Sequence, residues 1–385
     1  MFELRMNRRR IVAMGAVALL AGCKVIPKGP QGTPPPPEKP SAGTLPADQQ
    51  RHRVALLVPT SGPNAGVGQA LANAATMALL DTNAANLRIT TYDTATGPSA
   101  AASRAIADGN RLILGPLLGD DVFAVAAIAR PAKVPIISFS NDANVAGRDT
   151  FIMGSLPSQS IARTISFARA KGLTRFAALI PEGEYGLRAS AAFNTAVAEA
   201  GGVVVGVESY SRSNTSIVSA AKRLRMKAKY DAVLIADGGR FAIQAAPLLK
   251  GPAGSPQPKL LGTELWSGDA AVATSPALRG AWYSAVSDTR WRQYADSYRN
   301  RFGAAPYRIS TLGYDAVLLT LKVARNWKPG SGLATGSLYD RDGFLGLDGV
   351  FRFGTNGVVE RAFEVIELRA GGVTVISPAA VKFGN

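Results

Sequence analysis

The residue types that most often carry out nucleophilic and metal chemistry are almost missing from this sequence. Cys23 is the only cysteine and His52 the only histidine among 385 residues. Hydroxyl and thiol nucleophiles are most often activated by histidine, and zinc sites are built mainly from cysteine and histidine. The composition therefore predicts a protein that is not an enzyme and that carries neither a metal nor a cofactor.

Two local patterns match parts of catalytic sites but are incomplete. Ser219 and Lys222 have the Ser-x-x-Lys spacing of penicillin-interactive enzymes, yet no Lys-Thr-Gly motif follows. Glu182 and Glu184 form a carboxylate pair, but nothing else in the sequence indicates glycosidase chemistry. Neither pattern changes the expectation of a protein without enzymatic activity.

Several polar residues are candidates for ligand binding because they follow short apolar runs. Ser61, Ser138 and Asp237 each come at the end of such a run or just after it. Ligands of open α/β sheets bind at the carboxyl ends of the strands, so these side chains are expected near a polar ligand. The same residue types also favour ordinary turns and helix N-caps, and the sequence alone leaves both interpretations open.

The elements that would position these residues alternate regularly from Arg53 onward. Continuous apolar runs predict buried strands, and apolar residues at helical spacing predict the helices between them. Strands are predicted at 54–58, 87–92, 112–114, 135–137, 176–180, 203–205, 232–235 and 259–261, with helices between them. One sheet of seven or eight such units would be large. The prediction is therefore an α/β protein with two doubly wound parallel-sheet lobes and a cleft between them.

The first 22 residues have the layout of a removable signal peptide. Met1–Arg10 is basic, Ile11–Leu20 is apolar or small, and two small residues precede Cys23. The apolar run is shorter than the roughly 20 residues that a membrane-spanning helix needs. Leu20-Ala21-Gly22-Cys23 resembles the lipobox of bacterial lipoproteins. That resemblance implies cleavage before Cys23 and attachment of lipid, including palmitate, to this residue.

The residue after the cysteine carries sorting information in such lipoproteins. Lys24 is not an aspartate, which in a Gram-negative cell implies the inner leaflet of the outer membrane, with the folded part in the periplasm. Residues 23–50 are predicted to be a tether, because eight prolines lie between positions 24 and 50 and no aromatic residue does. An extended polyproline chain of that length reaches on the order of 80 Å.

The formal net charge is +16, and removal of the signal peptide lowers it by three. A basic chain favours anionic partners such as envelope polymers or lipid headgroups. The charges are dispersed, however, and no nucleic-acid-binding motif accompanies them. The expectation is a membrane attachment through the N-terminal lipid and no nucleic-acid partner.

Several separate segments, taken in order, resemble one family. The sequence from 53 to 367 is similar to the type 1 periplasmic binding fold, especially to leucine/isoleucine/valine-binding proteins and to penicillin-binding-protein activator lipoproteins. The segments that carry the resemblance are 54–80, 113–116, 134–138, 185–186, 214–224 and 346–357. It implies a first lobe from 51–154 and 286–328, a second lobe from 155–285 and 329–385, and three crossovers between them.

The same resemblance implies which residues would contact a ligand in the cleft. It transfers the contact positions to Leu117, Phe139, Asn141, Tyr185 and Asn214. Amino-acid-binding members have a carboxylate where Asn214 stands and a hydroxyl where Leu117 stands, so the pocket for an amino acid looks partly dismantled. Asp237 is a possible substitute for the missing acid.

Two functions follow from these expectations. The first is a non-enzymatic envelope lipoprotein that activates or regulates peptidoglycan synthesis through a penicillin-binding protein. The lipid anchor, the tether and the altered pocket favour it. The alternative is the solute receptor of an ATP-driven importer for branched-chain or other amino acids, which closes on a small polar ligand.

Overall fold

The computed structural model describes residues 50–212, 215–251 and 254–383. The predicted signal peptide, Cys23 and nearly all of the 23–50 tether lie outside these ranges, as does the candidate ligand contact Asn214. Within these ranges there is no helix that is both long enough and apolar enough to cross a membrane.

Strands and helices alternate through most of the described chain, as the apolar pattern predicts. The strands are β1 (His52–Val58), β2 (Leu87–Asp93), β3 (Leu112–Leu114), β4 (Ile136–Ser138), β5 (Thr150–Ile152), β6 (Arg175–Pro181), β7 (Val203–Tyr210), β8 (Ala232–Ile235), β9 (Lys259–Leu261), β10 (Trp282–Ala285), β11 (Phe344–Gly346), β12 (Gly349–Phe353), β13 (Val359–Arg361), β14 (Glu364–Arg369) and β15 (Gly372–Ser377). The helices are α1 (Ala65–Asp81), α2 (Pro98–Ala107), α3 (Gly119–Ala129), α4 (Pro157–Ala170), α5 (Glu184–Glu199), α6 (Ser216–Lys227), α7 (Gly239–Leu249), α8 (Ala270–Thr274), α9 (Trp291–Phe302) and α10 (Thr311–Ala324). Short 3-10 helices occur at Ala143–Val145, Glu264–Trp266, Pro276–Leu278, Arg308–Ser310 and Thr335–Leu338.

The first sheet is parallel, in the order β2-β1-β3-β4-β5. Strand β1 lies inside this sheet and is buried on both faces, which explains the unbroken apolar run in the sequence. Leu56 packs with residues of α1 and α10, whereas Leu57 packs with residues of α2 and α3. Both side chains are at most 1% exposed.

The second sheet has the order β15-β14-β10-β9-β8-β6-β7. Residues of α4 and α5 pack on one face and residues of α6 and α7 on the other. The alternating pattern predicted parallel strands, and β6 to β10 are parallel, but β14 and β15 are antiparallel to their neighbours. They form a hairpin that turns at Gly371, where φ is +91°, and a connection this short cannot join parallel strands.

A third, small antiparallel sheet joins β11, β12 and β13. The family resemblance implied that the whole of 329–385 belongs to the second lobe. In the structure, residues of this segment that precede β14 pack on the first lobe. Residues of this sheet and of the segment before it are buried with β1 and α10: Leu333, Leu338, Phe344, Phe351, Phe353 and Val359. Aromatic packing across the lobe is the reason, since the Phe353 ring lies 5.2 Å from that of Phe151 in β5. Only β14 and β15 of this segment join the second sheet.

The two sheets are the centres of two lobes. The chain passes between them after β5, after β10 and after β13, so there are three crossings in the described chain. After the second crossing, α9 returns to the first lobe, where Tyr294 and Tyr298 pack on Met77 of α1. This arrangement confirms the predicted fold of two α/β lobes with a cleft between them.

Candidate ligand-binding site

A cavity of about 490 Å³ lies between the lobes, where strands of both sheets end. Leu117 and Phe139 follow β3 and β4 of the first lobe, while Glu264 and Val286 follow β9 and β10 of the second. Ligands of open α/β sheets bind at these strand ends. The volume also lies within the range of roughly 300–1,000 Å³ that is common for small-molecule sites.

The first-lobe wall of this cavity is mainly apolar. It is formed by Val67, Leu117, Leu118, Ile309 and Leu312. These side chains can bury the hydrocarbon part of a ligand, but they carry no charge. The charged residues of the lining are Glu264, Arg308 and Asp348, and they decide which polar group the site can accept.

Glu264 projects from the short 3-10 helix that follows β9. Trp266, in the same turn, fixes its position because it is 1% exposed and its indole N–H donates to the Asp237 carbonyl at 2.8 Å. Gly262 allows this packing, since a Cβ atom there would lie 2.3 Å from the Trp266 ring. The hydroxyl of Tyr185 is 3.1 Å from Glu264 Oε1 and also 3.1 Å from Thr263 Oγ1.

The environment of Glu264 opposes the ionisation of its carboxyl group. Burial raises the pKa of this group to about 7, although hydrogen bonds from its own backbone N–H and from Tyr185 oppose this. A cationic ligand group would therefore find an acid that is poised to ionise near neutral pH.

Arg308 lies at the base of the cavity, on the chain that has just returned to the first lobe. Its Nη1 is 2.6 Å from Asp348 Oδ1, and its Nη2 is 3.3 Å from Asp288 Oδ1. Thr311 donates to the other Asp348 oxygen at 2.9 Å. Because Asp288 belongs to the second crossing, this ion-pair network joins the cavity floor to the hinge.

Three buried polar atoms of residues that line this cavity have no hydrogen-bond partner among the described residues. They are Glu264 Oε2, Ser267 Oγ and Arg308 Nε. Buried polar groups are nearly always satisfied, and leaving one unsatisfied costs roughly 1–3 kcal/mol. All three atoms are shielded from solvent, so each of them adds a cost to the folded state beside the cavity.

The predicted site residues are only partly brought together. Leu117, Phe139 and Asn141 line the cavity, and Tyr185 stands behind it in contact with Glu264. Their role in binding stays a prediction, as does that of Asn214, which is outside the described residues.

The other three candidates have structural partners and lie outside the cavity lining. Ser61 is exposed and donates to Asp93 at 2.6 Å. Ser138 is fully buried and donates to the Pro116 carbonyl at 2.8 Å. Asp237 is paired with Arg212 through two contacts of 2.9 Å and also accepts from the Tyr210 hydroxyl. Its carboxylate is therefore already paired, and Glu264 is the glutamate that lines the cavity.

The sequence contained a signal for Glu264 and Ser267. Both follow the predicted strand at 259–261, and the rule that selected the other loops applies equally to this one. No comparable signal pointed to Arg308, because it belongs to a crossing segment and not to a strand end. In the described ranges, no group of three or more His, Cys, Asp or Glu side chains is arranged to hold a metal ion.

Two α/β lobes, three crossings and a cavity between the lobes are the features of a periplasmic binding fold. The chain belongs to the periplasmic binding protein family, whose model matches residues 52–372.

Comparison with solved structures supports this fold. A putative branched-chain amino acid ABC transporter protein from Rhodospirillum rubrum is 20% identical, with a TM-score of 0.74 over 85% of this chain and 100% of that chain. A solute-binding protein from R. palustris, solved with benzoate, is 17% identical, with a TM-score of 0.62 over 86% of this chain and 97% of the other. At these identities the likeness concerns the fold alone.

Among curated proteins, an uncharacterised protein of Rickettsia prowazekii is 29% identical over 140 residues. This match covers 36% of the present chain and 38% of the relative. The chain thus spans little more than a third of the length of that relative.

Proposed function

We propose that this protein is a receptor whose inter-lobe cleft binds a small molecule with a cationic group, and that Glu264 is the counter-ion. The observation that carries the proposal is the position of Glu264, an acid of the second lobe that lines a cavity with a largely apolar wall. An isolated buried carboxylate is costly, and an ammonium group of a ligand would relieve that cost. The similar structures of an amino-acid transport protein and of a protein solved with benzoate fit the binding of a small ligand in the cleft.

Calorimetry with a panel of amines, amino acids and their derivatives tests this proposal. Glu264→Gln keeps the shape and the hydrogen bond to Tyr185 but removes the charge, so affinity for a cationic ligand should fall at least tenfold. Glu182→Gln is the matched control, because Glu182 is exposed in the same lobe. The proposal fails if no cationic compound binds, or if Glu264→Gln and Glu182→Gln bind a cationic ligand equally well.

We further propose that the protein is an outer-membrane lipoprotein that regulates peptidoglycan synthesis through a penicillin-binding protein, without catalysis of its own. The lipobox-like segment ending at Cys23 and the proline-rich stretch to residue 50 support this role, because they would hold a folded receptor in the periplasm at the end of a long tether. Mass spectrometry of the exported chain should find lipid on Cys23. A pulldown with the full chain should retain a peptidoglycan synthase and raise its activity.

The second candidate is the solute receptor of an importer, and the named transport proteins of the same fold favour it. Deletion of the gene separates the two roles. Loss of uptake of one solute with normal cell-wall synthesis supports import. Normal uptake with reduced incorporation of cell-wall precursors supports regulation.

A further inference from the structure

The first lobe has a second surface at the end of its sheet that is opposite the cleft. Leu117 and Phe139 of the cavity follow β3 and β4, so the cleft lies at the carboxyl ends of these strands. We propose that the amino ends of the same sheet form a basic face that docks on an anionic lipid bilayer. This inference goes beyond the proposed function, because it concerns the folded domain and needs neither a ligand in the cleft nor a lipid on Cys23.

Each of the five parallel strands of the first sheet has a basic residue at or just before its amino end. In the order of the sheet, they are Arg88 in β2, Arg53 in β1, Arg111 before β3, Lys133 before β4 and Arg148 before β5. Neighbouring strands lie about 4.8 Å apart, so this row is roughly 19 Å wide. Arg53 and Arg88 are direct partners in the register of β1 and β2. Like charges that face each other across strands repel, and an anionic surface beside them would relieve this repulsion.

The helices that pack on this sheet add further bases at the same end. Helices α2 and α3 each lead from the carboxyl end of one strand to the amino end of the next, so their C-termini lie here. The C-terminus of α10 lies here as well, because Trp327 stacks on His52 of β1 at 4.4 Å. The exposed bases at these helix ends are Arg104, Arg130, Arg325 and Lys328. Bases at helix C-termini also offset the helix dipole, but that explanation does not apply to the bases at the strand starts.

Acidic residues at this end of the described chain are fewer, and most of them already have partners. Those with partners are Asp81 (Arg301, 2.6 Å), Asp340 (Lys322, 2.7 Å) and Asp108, which accepts from the Tyr92 hydroxyl at 2.7 Å. Asp149 and Asp342 are the others, and each is next to an arginine in the sequence. The face therefore keeps a positive charge that attracts an anionic surface.

The spread of the charge favours a bilayer over a single anionic polymer chain. Residues of α2 and α3 pack on one face of the sheet, and residues of α1 and α10 pack on the other. The bases therefore lie on both sides of the row of strand ends and not along one groove. A flat surface can approach all of them together, and the attraction of Lys and Arg to anionic lipid increases with their number.

The chain also enters the folded domain at the middle of this face. Strand β1 lies between β2 and β3, and Gln50 and Arg51 directly precede it. Residues 1–49 are therefore joined to the domain on its basic side. A lipid on Cys23 would hold this side toward the bilayer, and the basic face would then contact the headgroups.

Cosedimentation with vesicles of equal parts phosphatidylglycerol and phosphatidylcholine tests the inference, with pure phosphatidylcholine vesicles as the reference. The full chain carries Cys23→Ser, so that no lipid contributes. Combined Lys133→Gln, Arg148→Gln and Lys328→Gln should weaken binding to the mixed vesicles at least tenfold. The matched control combines Lys222→Gln, Arg225→Gln and Lys229→Gln, which are exposed in the second lobe, and should bind like the parent. Both variants have the same net charge and the same N-terminal segment, so a difference between them reports on the basic face.

A second measurement locates the contact without removing charge. A fluorophore on Ala85→Cys, in the exposed turn between α1 and β2, should be quenched by spin-labelled lipid headgroups in the mixed vesicles. The same fluorophore on Ser219→Cys, exposed on α6 of the second lobe, should keep its emission. Both labelled chains carry Cys23→Ser, so each has one cysteine.

Three results would overturn the inference. The first is equal binding to the mixed and the pure phosphatidylcholine vesicles, and the second is equal binding by the two triple variants together with equal quenching at the two labelled positions. The third is binding of dextran sulfate without binding of vesicles, which would assign the face to an anionic polymer. None of these results depends on a ligand in the cleft, so the proposed receptor function is tested separately.

Discussion

The phenolic oxygen of Tyr185, near the start of α5, lies 3.1 Å from Oε1 of Glu264 in the turn after β9. This contact joins helix α5 to the turn after β9, behind the cleft. Its hydrogen bond lowers the pKa of Glu264 and so partly offsets the effect of burial, which raises it. Tyr185 thereby keeps the cleft acid close to ionisation at neutral pH.

Tyr185→Phe should weaken the binding of a cationic ligand at pH 7 about fivefold, which is the effect of one hydrogen bond worth about 1 kcal/mol. Loss of the bond raises the pKa of Glu264 further, so a smaller fraction is ionised. The deficit should shrink at pH 9, where the carboxyl is charged in both proteins. Calorimetric titrations at the two pH values measure it, and an equal deficit at both would contradict this role of Tyr185.

Glu264 should also make the stability of the empty protein fall as the pH rises. Its folded pKa of about 7 lies above the ordinary value of 4.5, so the unfolded chain releases this proton first and unfolding is favoured between these values. Glu264→Gln lacks this penalty. Its advantage over the natural protein in urea denaturation should be on the order of 3 kcal/mol larger at pH 8 than at pH 5. Glu182→Gln is the control. If the stability gained by Glu264→Gln does not change with pH, Glu264 is not a buried acid with a raised pKa.

His52 should make the stability of the protein fall as the pH falls, which is the opposite of the effect of Glu264. It is 3% exposed, and its ring stacks on Trp327 at a centroid distance of 4.4 Å. Burial lowers the pKa of His52, so protonation favours the unfolded chain, and stability is lost as the pH falls below about 6.5. Between pH 7.5 and 5.5, the natural protein should lose more stability than His52→Phe, which keeps an aromatic ring on Trp327. Identical losses in the two proteins would exclude this contribution.

The pattern of apolar residues was sufficient to predict the strands and helices, because a strand that is buried on both faces has an unbroken apolar run such as Val54–Val58. Leu117, Phe139 and Asn141, which line the cleft, were predicted from the resemblance to the type 1 periplasmic binding fold. The apolar pattern could not assign Phe353 to the first lobe, because this assignment depends on a contact with Phe151, more than 200 positions earlier in the chain. Arg308 was missed for the same reason, because its partners Asp288 and Asp348 meet only in the folded protein.

Arg188 of α5 reaches across the cleft to the first lobe. Its Nη1 is 3.4 Å from Asp142 Oδ2, and its Nη2 is 3.4 Å from Asn141 Oδ1. These contacts are long and partly exposed, and exposed pairs contribute about 0.2–1 kcal/mol. Arg188→Ala should therefore shift the empty protein modestly toward an open form and weaken ligand binding about two- to fivefold.

Small-angle scattering of the empty protein and calorimetry measure the two effects of Arg188→Ala. Arg299→Ala is the control, because Arg299 is exposed on α9 and pairs with Asp296 in its own helix. A radius of gyration and an affinity that match those of the control would show that Arg188 does not hold the lobes together.

Gly186 is needed where α5 starts against the end of β6. A Cβ atom at this position would lie 1.6 Å from the Pro181 carbonyl oxygen, which the backbone cannot accommodate without moving α5. Gly186→Ala should therefore destabilise the protein by about 3 kcal/mol or more. Gly238→Ala is the matched control: Gly238 precedes α7, has a φ of −65°, and a Cβ atom there would contact nothing within 4 Å. Because a displaced α5 would also move Tyr185 away from Glu264, the surviving folded fraction of Gly186→Ala should show the weaker ligand binding of Tyr185→Phe. Urea denaturation and calorimetry test both effects, and a Gly186→Ala protein as stable as Gly238→Ala would contradict this close approach of helix and strand.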